Sequence, residues 1–251
     1  MSTPLPLAMA ELARWRAEGL TLPVWWRDDD AIEPTPALDR LLALAERFRA
    51  PLHLAIVPQP AQPELAERLR NAVDVFALTH GWKHANHAPP DRKKAEFGAY
   101  RPLPVMLGEI AEGRKRLRDL FGDKALPIFT PPWNRIADAV VSQLAPVGYK
   151  AISTYTPRAT RFAADGLLQV NTHLDPVAWK SGGGLLGPDQ LDAQMSRELE
   201  ARRTGSADNG EPYGVLTHHL VQDDATWFFT ERLLETLAAS GVARFTSPLD
   251  G

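Results

Sequence analysis

The sequence predicts an α/β protein built on a parallel sheet covered by helices, and three observations carry that prediction. Short apolar runs of strand length alternate with longer segments whose apolar residues recur at helical spacing, giving about seven strand-then-helix units. The chain has 251 residues, 44% of them hydrophobic and 24% charged, which suffices for one large core and is a common size for a single barrel. No internal repeat or low-complexity tract breaks the pattern. Such alternation admits an open doubly wound sheet or a closed barrel, and the absence of G-x-G-x-x-G after the first strand argues against a dinucleotide-binding version. A single domain over residues 1–251 is expected.

Taken in order, MSTPLPLAMAELARWRAEG reads as a loop leading into a short amphipathic helix. It lacks a basic start followed by an apolar run, and Glu11 comes early, so no secretion signal is expected. Strands are expected at residues 22–26, 52–56, 73–78, 126–129, 149–153, 167–170 and 213–217. Helices are expected at 36–48, with Thr35 as N-cap, and at 63–69, 104–121, 137–145, 188–202 and 227–239. Two irregular stretches, 84–104 and 201–212, read as loops, and in a barrel such loops after the strands are where sites are assembled.

A formal charge of -3 gives no basic surface for phosphate backbones, so neither nucleic acid nor an anionic membrane is an expected partner. A small neutral or mixed-charge substrate fits better. No stretch approaches the roughly 18 to 20 uninterrupted apolar residues of a membrane span, so a cytoplasmic protein is expected. With no cysteine there is no disulfide, no thiolate nucleophile and no Cys-based zinc site, and any metal must rest on His, Asp and Glu.

The first strand runs into Arg27-Asp28-Asp29-Asp30. Three adjacent carboxylates are costly unless one is protonated or a cation offsets them, although a solvated acidic turn is the bland alternative. The third strand ends at His80, followed by His84 and His87. If that turn is helical, spacings of four and three put the imidazoles on one face, about 5 to 6 Å apart at Cβ, close enough for two to chelate one ion. Two His and one Asp from separate βα loops make an N,N,O site with open positions, as hydrolytic zinc-type sites require and as non-haem iron oxygenases also have.

Further along, the prolines of Thr130-Pro131-Pro132-Trp133-Asn134 fix a turn with the Trp133 N–H as a possible oxyanion donor. Leu216-Thr217-His218-His219 ends the last strand, so a histidine there is a candidate general acid that Asp175 could orient; one buried and one exposed strand-end residue is the plain alternative.

In sequence order these segments resemble the motifs of the polysaccharide deacetylase superfamily, which includes carbohydrate esterase family 4, over most of the chain. Arg27-Asp28-Asp29-Asp30-Ala31 resembles the Thr-Phe-Asp-Asp-Gly turn, fitting best with Asp29 as catalytic base and Asp30 as metal ligand; a register using Asp28 and Asp29 stays open. His80-Gly81-Trp82-Lys83-His84 matches the His-x-x-x-His motif that supplies two further ligands. Residues 130–134 are similar to Arg-x-Pro-Tyr-Gly, with Trp133 giving its N–H, while 175–179 and 216–218 resemble the fourth and fifth motifs. Thr130 stands where the family has an arginine that tunes the catalytic Asp, and Arg27 or Arg135 could occupy that space.

The resemblance implies a distorted seven-stranded (β/α) barrel holding a divalent ion, zinc first with cobalt, nickel or manganese as alternatives. It implies a hydrolase that acts on an N-acyl or O-acyl group of a sugar-like small molecule or oligosaccharide, or on another non-peptide C–N bond, with Asp29, Trp133, Asp175 and His218 catalytic and Asp30, His80 and His84 on the metal. The alternative from another class is a non-catalytic carbohydrate-binding or scaffold protein, with Trp25, Trp26, Trp82 and Trp133 as stacking surfaces.

Overall fold

The computed structural model describes residues 5–249, so the start of the expected leading loop lies outside the described residues. The elements run α1 (Pro6–Ala17), β1 (Leu22–Ala31), α2 (Pro36–Phe48), β2 (Leu52–Ile56), α3 (Pro63–Leu69), β3 (Val75–His80), α4 (Leu103–Phe121) and β4 (Ala125–Thr130). There follow α5 (Asp138–Val147), β5 (Ala151–Ile152), β6 (Phe162–Ala164), β7 (Leu167–Gln169), α6 (Pro188–Arg203), β8 (Tyr213–Thr217), α7 (Asp224–Ala239) and β9 (Ala243–Phe245).

Local chemistry explains the boundaries. Thr35 caps α2 by accepting the Leu38 N–H at 3.0 Å, and Pro36 sits at the first turn, where its missing N–H costs nothing. In α1 the free N–H groups of Leu7 and Ala8 are taken by the carboxylate of Asp192 on α6, at 2.9 and 2.8 Å, which docks the N-terminal helix on the barrel wall.

The sheet runs β6-β7-β5-β4-β3-β2-β1-β8, with β9 also on β1, and every pairing is parallel except that of β6 with β7. Chain beyond β7 pairs Thr172 with Tyr155 on one side and Leu174 with Val215 of β8 on the other. The curled sheet is thereby joined end to end, and β1 to β5, the β7–Leu174 run and β8 ring a distorted barrel of parallel strands. Gly214 makes this seam possible: a Cβ there would meet Asn171 O at 2.5 Å and the Thr172 Cα at 2.6 Å. Below the seam, the buried carboxylate of Glu211 accepts the N–H groups of Asn171 and Arg158 at 2.8 and 3.0 Å.

Strand alternation sorts the side chains. Trp25, Ala55, Leu78, Ile128, Ala151 and Val170, one from each of six strand positions, fill the barrel interior. Their neighbours Val24, Trp26, Leu54, Ala77 and Val215 point outward into the main core beneath the helices. In its strands the structure departs from the sequence reading as follows. The acidic run 28–30 belongs to β1 itself, paired with β2 and β8, so it is not a turn. The three-residue strands β6 and β9 carry too little pattern to be expected.

Candidate metal centre

The end of β1 deals three consecutive carboxylates to three destinations. Arg27 and Asp29 share the interior parity of Trp25, whereas Asp28 shares the outward parity of Trp26. Asp28, fully buried, accepts from the Thr217 hydroxyl at 2.7 Å and the His219 N–H at 3.0 Å, and its other oxygen meets His219 Nδ1. Burial pushes His219 down, but the charge and hydrogen bond of Asp28 outweigh this and raise it. Alternation alone would send Asp30 outward too. Instead the pairing with β2 slips between Asp29 and Ala31, and Asp30 takes φ 76, a bulge that swings its carboxylate to the rim. The register using Asp28 is therefore not the one that reaches the histidines.

His80, inward at the end of β3, donates from Nδ1 to the carbonyl of Thr130 at 3.0 Å, because a carbonyl can only accept. That fixes Nε2 as the other, unprotonated nitrogen of the neutral ring, and it lies 3.1 Å from Asp30 Oδ1. His84 Nε2 lies 3.3 Å from the same oxygen. The ligand atoms of Asp30, His80 and His84 all fall within 4.8 Å of one another. Three lone-pair donors facing one point need a proton or a cation between them, and two imidazoles with one carboxylate are a fitting donor set for a divalent ion.

The same crowding acts on the protons. Burial pushes the Asp30 carboxyl up, yet the hydrogen bond and charge of His80, with His84 and His218, hold it well below the carboxylate range. Burial lowers His80, but Asp29 and Asp30 overcome this and raise it, while burial and the charge of His80 lower His84.

The segment carrying His84 is not helical: Gly81 and His84 both have positive φ, 61 and 56. His87 in consequence points away, exposed, with its N–H on Ala95 O at 3.0 Å, and takes no part in the cluster. The His84 ring instead packs on Trp133, 4.3 Å between centroids.

On the other side of Asp29 lies His218, which shares the interior face of β8 with Gly214 and Leu216. Its Nε2 is 3.9 Å from Asp29 Oδ2 and its Nδ1 3.9 Å from Asp175 Oδ2, contacts too long for hydrogen bonds, and Nδ1 has no partner. Asp175 is already engaged, accepting Trp179 Nε1 at 2.8 Å and the Val177 N–H at 2.9 Å, and burial pushes its carboxyl up. Asp175 thus stands within ion-pair distance of His218, as expected, without a hydrogen bond to it, and the edge of Trp179 packs 4.7 Å from the imidazole. Both His218 and His219 are buried, so the buried-and-exposed alternative fails, and parity separates them.

The 130–134 segment forms a tight turn in which Trp133 and Asn134 take the left-handed φ values 57 and 55, with turn bonds to the N–H groups of Asn134 and Arg135. Thr130 is buried with an unpartnered hydroxyl. The arginine beside Asp29 comes from β1: Arg27 Nε lies 2.8 Å from Oδ1 and Nη2 donates to Oδ2 at 2.9 Å. The same guanidinium reaches Asn134 Oδ1 at 2.9 Å and Ser153 Oγ at 2.7 Å. Arg135 instead bonds the Lys94 carbonyl at the surface. Asn134 and Ser153 escaped the sequence reading; the parity shared by Arg27 and Asp29 was the signal available. Trp25 and Trp26 are fully buried, so neither is a stacking surface.

The fold defines a class, since the chain has the architecture of polysaccharide deacetylases and family 4 carbohydrate esterases. A family 4 carbohydrate esterase from Streptomyces lividans, solved with acetate, superposes over 92% of this chain and 95% of its own, with TM-score 0.58 and 18% identity. A proposed polysaccharide deacetylase from Mycobacterium smegmatis covers 92% and 89%, with TM-score 0.68 and 16% identity. A family 4 acetyl xylan esterase from Clostridium thermocellum, solved with a cobalt ion, covers 91% and 89%, with TM-score 0.53 and 14% identity. No family model and no curated protein matches the sequence. At these identities the likeness establishes the fold. Among the described residues no helix is long and apolar enough to cross a membrane.

Proposed function

We propose that this protein is a metal-dependent hydrolase that removes an N-acyl or O-acyl group from a sugar-like substrate. The observation that carries the reading is the convergence of Asp30, His80 and His84 within 4.8 Å, beside an arginine-held Asp29 and a His218 whose Nδ1 makes no hydrogen bond. A divalent cation, zinc first, bound by those three would supply Lewis-acid polarisation of an acyl carbonyl and acidification of a water.

The chain's own groups divide the remaining work. Asp29, kept in place by Arg27, is the base that accepts a proton from the attacking water. His218 stands across from it and protonates the departing amine or alcohol, without which an amine leaves poorly. The N–H of Trp133, on a turn stiffened by Pro131 and Pro132, donates to the carbonyl oxygen as charge develops, a contribution typically of a few kcal/mol. Asp175 acts through Trp179, which walls one side of His218.

The test uses the full chain loaded with zinc or cobalt and measures acetate release from N-acetylated chitooligosaccharides and an acetyl ester, before and after chelation. Metal-proportional release that disappears in His80→Ala is expected. One ion bound with no release from any acyl sugar or ester overturns the hydrolase reading in favour of a non-catalytic sugar binder, and oxygen consumption with a 2-oxo acid would favour an iron oxygenase.

A further inference from the structure

The turn that carries His84 has no helix to stiffen it, yet His84 must be held within reach of Asp30. The group that holds it lies in the long loop before α4. Glu96 is fully buried, and its carboxylate faces the backbone between the two imidazoles. Oε1 accepts the N–H of Lys83 at 2.7 Å and, more loosely, that of Ala85 at 3.5 Å, while Oε2 accepts the N–H of Trp82 at 3.1 Å. On its other side Glu96 is pinned independently of that turn: Phe97 forms a parallel bridge with Ile136, and its carbonyl accepts the Ala137 N–H at 2.9 Å. The anchor therefore does not move with the turn it grips.

Gly81 completes the fit. A Cβ at this position would lie 2.1 Å from Glu96 Oε2 and 2.6 Å from Pro132 Cγ, and its φ of 61 is one that glycine alone adopts cheaply. The space beside Gly81 and Pro132 is thus filled by a carboxylate whose partners are main-chain donors.

We infer that Glu96 is the positioning residue of the metal centre: its carboxylate locks residues 82–85 so that His84 faces Asp30 and His80 before any ion arrives. The inference rests on the metal-centre reading above. A carboxylate suits the task because both its oxygens only accept, whereas an amide would turn an NH2 against one of the N–H groups. Removing the anchor shifts the cost of ordering His84 onto metal binding, the usual consequence of losing an outer partner of a ligand.

The experiment titrates the full-length protein with Zn2+ alone against a competing chromogenic chelator, for wild type, Glu96→Gln, Glu96→Ala and His80→Ala. Histidine imidazole NMR signals of the metal-free proteins are recorded alongside. Zinc affinity is expected to fall roughly 10- to 100-fold in Glu96→Ala and less in Glu96→Gln. The His84 signals of the metal-free variants should broaden or multiply while those of His53 and His218 stay put, which general loss of stability would not produce. Wild-type zinc affinity together with unchanged His84 signals in both variants overturns the inference. Should Glu96→Ala not fold, the near-isosteric Glu96→Gln decides alone. Failure of the metal-centre reading looks different: wild type and His80→Ala would bind zinc equally or not at all, and the His84 signals would still decide the role of Glu96.

Discussion

Arg27 and Asp29, two residues apart on one strand, face the same interior and form a two-pronged ion pair, Nε to Oδ1 at 2.8 Å and Nη2 to Oδ2 at 2.9 Å, with the arginine fully buried. Because the guanidinium also spans Asn134 and Ser153, it ties Asp29 to the end of β5 and to the Trp133 turn. Arg27→Lys keeps the charge but loses the fork. Turnover is expected to fall roughly 100-fold with one metal per chain retained, read from steady-state kinetics and elemental analysis on the same samples.

Asp29 and Asp30 should separate cleanly. Asp29→Asn is expected to bind metal normally and lose turnover by roughly 100- to 10,000-fold, the range for a general base. Asp30→Ala should lose the metal itself. Isothermal titration with Zn2+ distinguishes the two, and metal loss in the Asp29 variant would move the ligand role by one residue.

Asp28 belongs to the wall and not to the rim, so its removal should be felt as stability. Asp28→Ala strips the buried His219 of its partner and leaves the Thr217 hydroxyl without its acceptor. A loss of about 3 to 5 kcal/mol in denaturant unfolding is expected, as for a broken buried pair, with metal stoichiometry intact.

His53 makes acid stability testable. It lies inside the barrel between Trp25 and Phe76, its Nδ1 on the Trp26 carbonyl at 3.0 Å, and burial pushes it down to about 4. The unfolded chain therefore takes up a proton that the folded one refuses. Stability should be complete above about pH 6.5 and decline as pH falls toward 4, by up to roughly 3 kcal/mol from this group. Relative to wild type, His53→Gln should flatten the dependence of unfolding free energy on pH between 4.5 and 7; parallel curves would show that His53 carries none of it.

How far the sequence reveals this arrangement depends on the kind of signal each part carries. Helices α2 and α3 and strands β2 and β8 fall on the expected residues because the Thr35 cap, the prolines opening both helices and short, mostly apolar strand runs mark them. The end of β1 could not be read locally, since carboxylates inside a strand look like a turn until pairing with β2 and β8 is known. His80 and His84 were legible from spacing, though for a partly wrong reason: the turn is extended and left-handed, which excludes His87. The division between His218 and His219 follows from period two only once the inner face of β8 is fixed by its neighbours. Glu96 lay beyond reach, for its role comes from a fold-back of an irregular loop whose contacts leave no periodic trace.

The extra residue in β1 also governs which genetic changes the centre could survive. Each of the three acids owes its destination to its count from Trp25, so deleting or inserting one codon here would send Arg27's partner beneath the helices and His219's partner into the cavity at one stroke. No single point replacement restores that permutation. Variation in this protein should consequently run through loop lengths elsewhere, while the spacing from Trp25 to Ala31 is handed down as an indivisible unit.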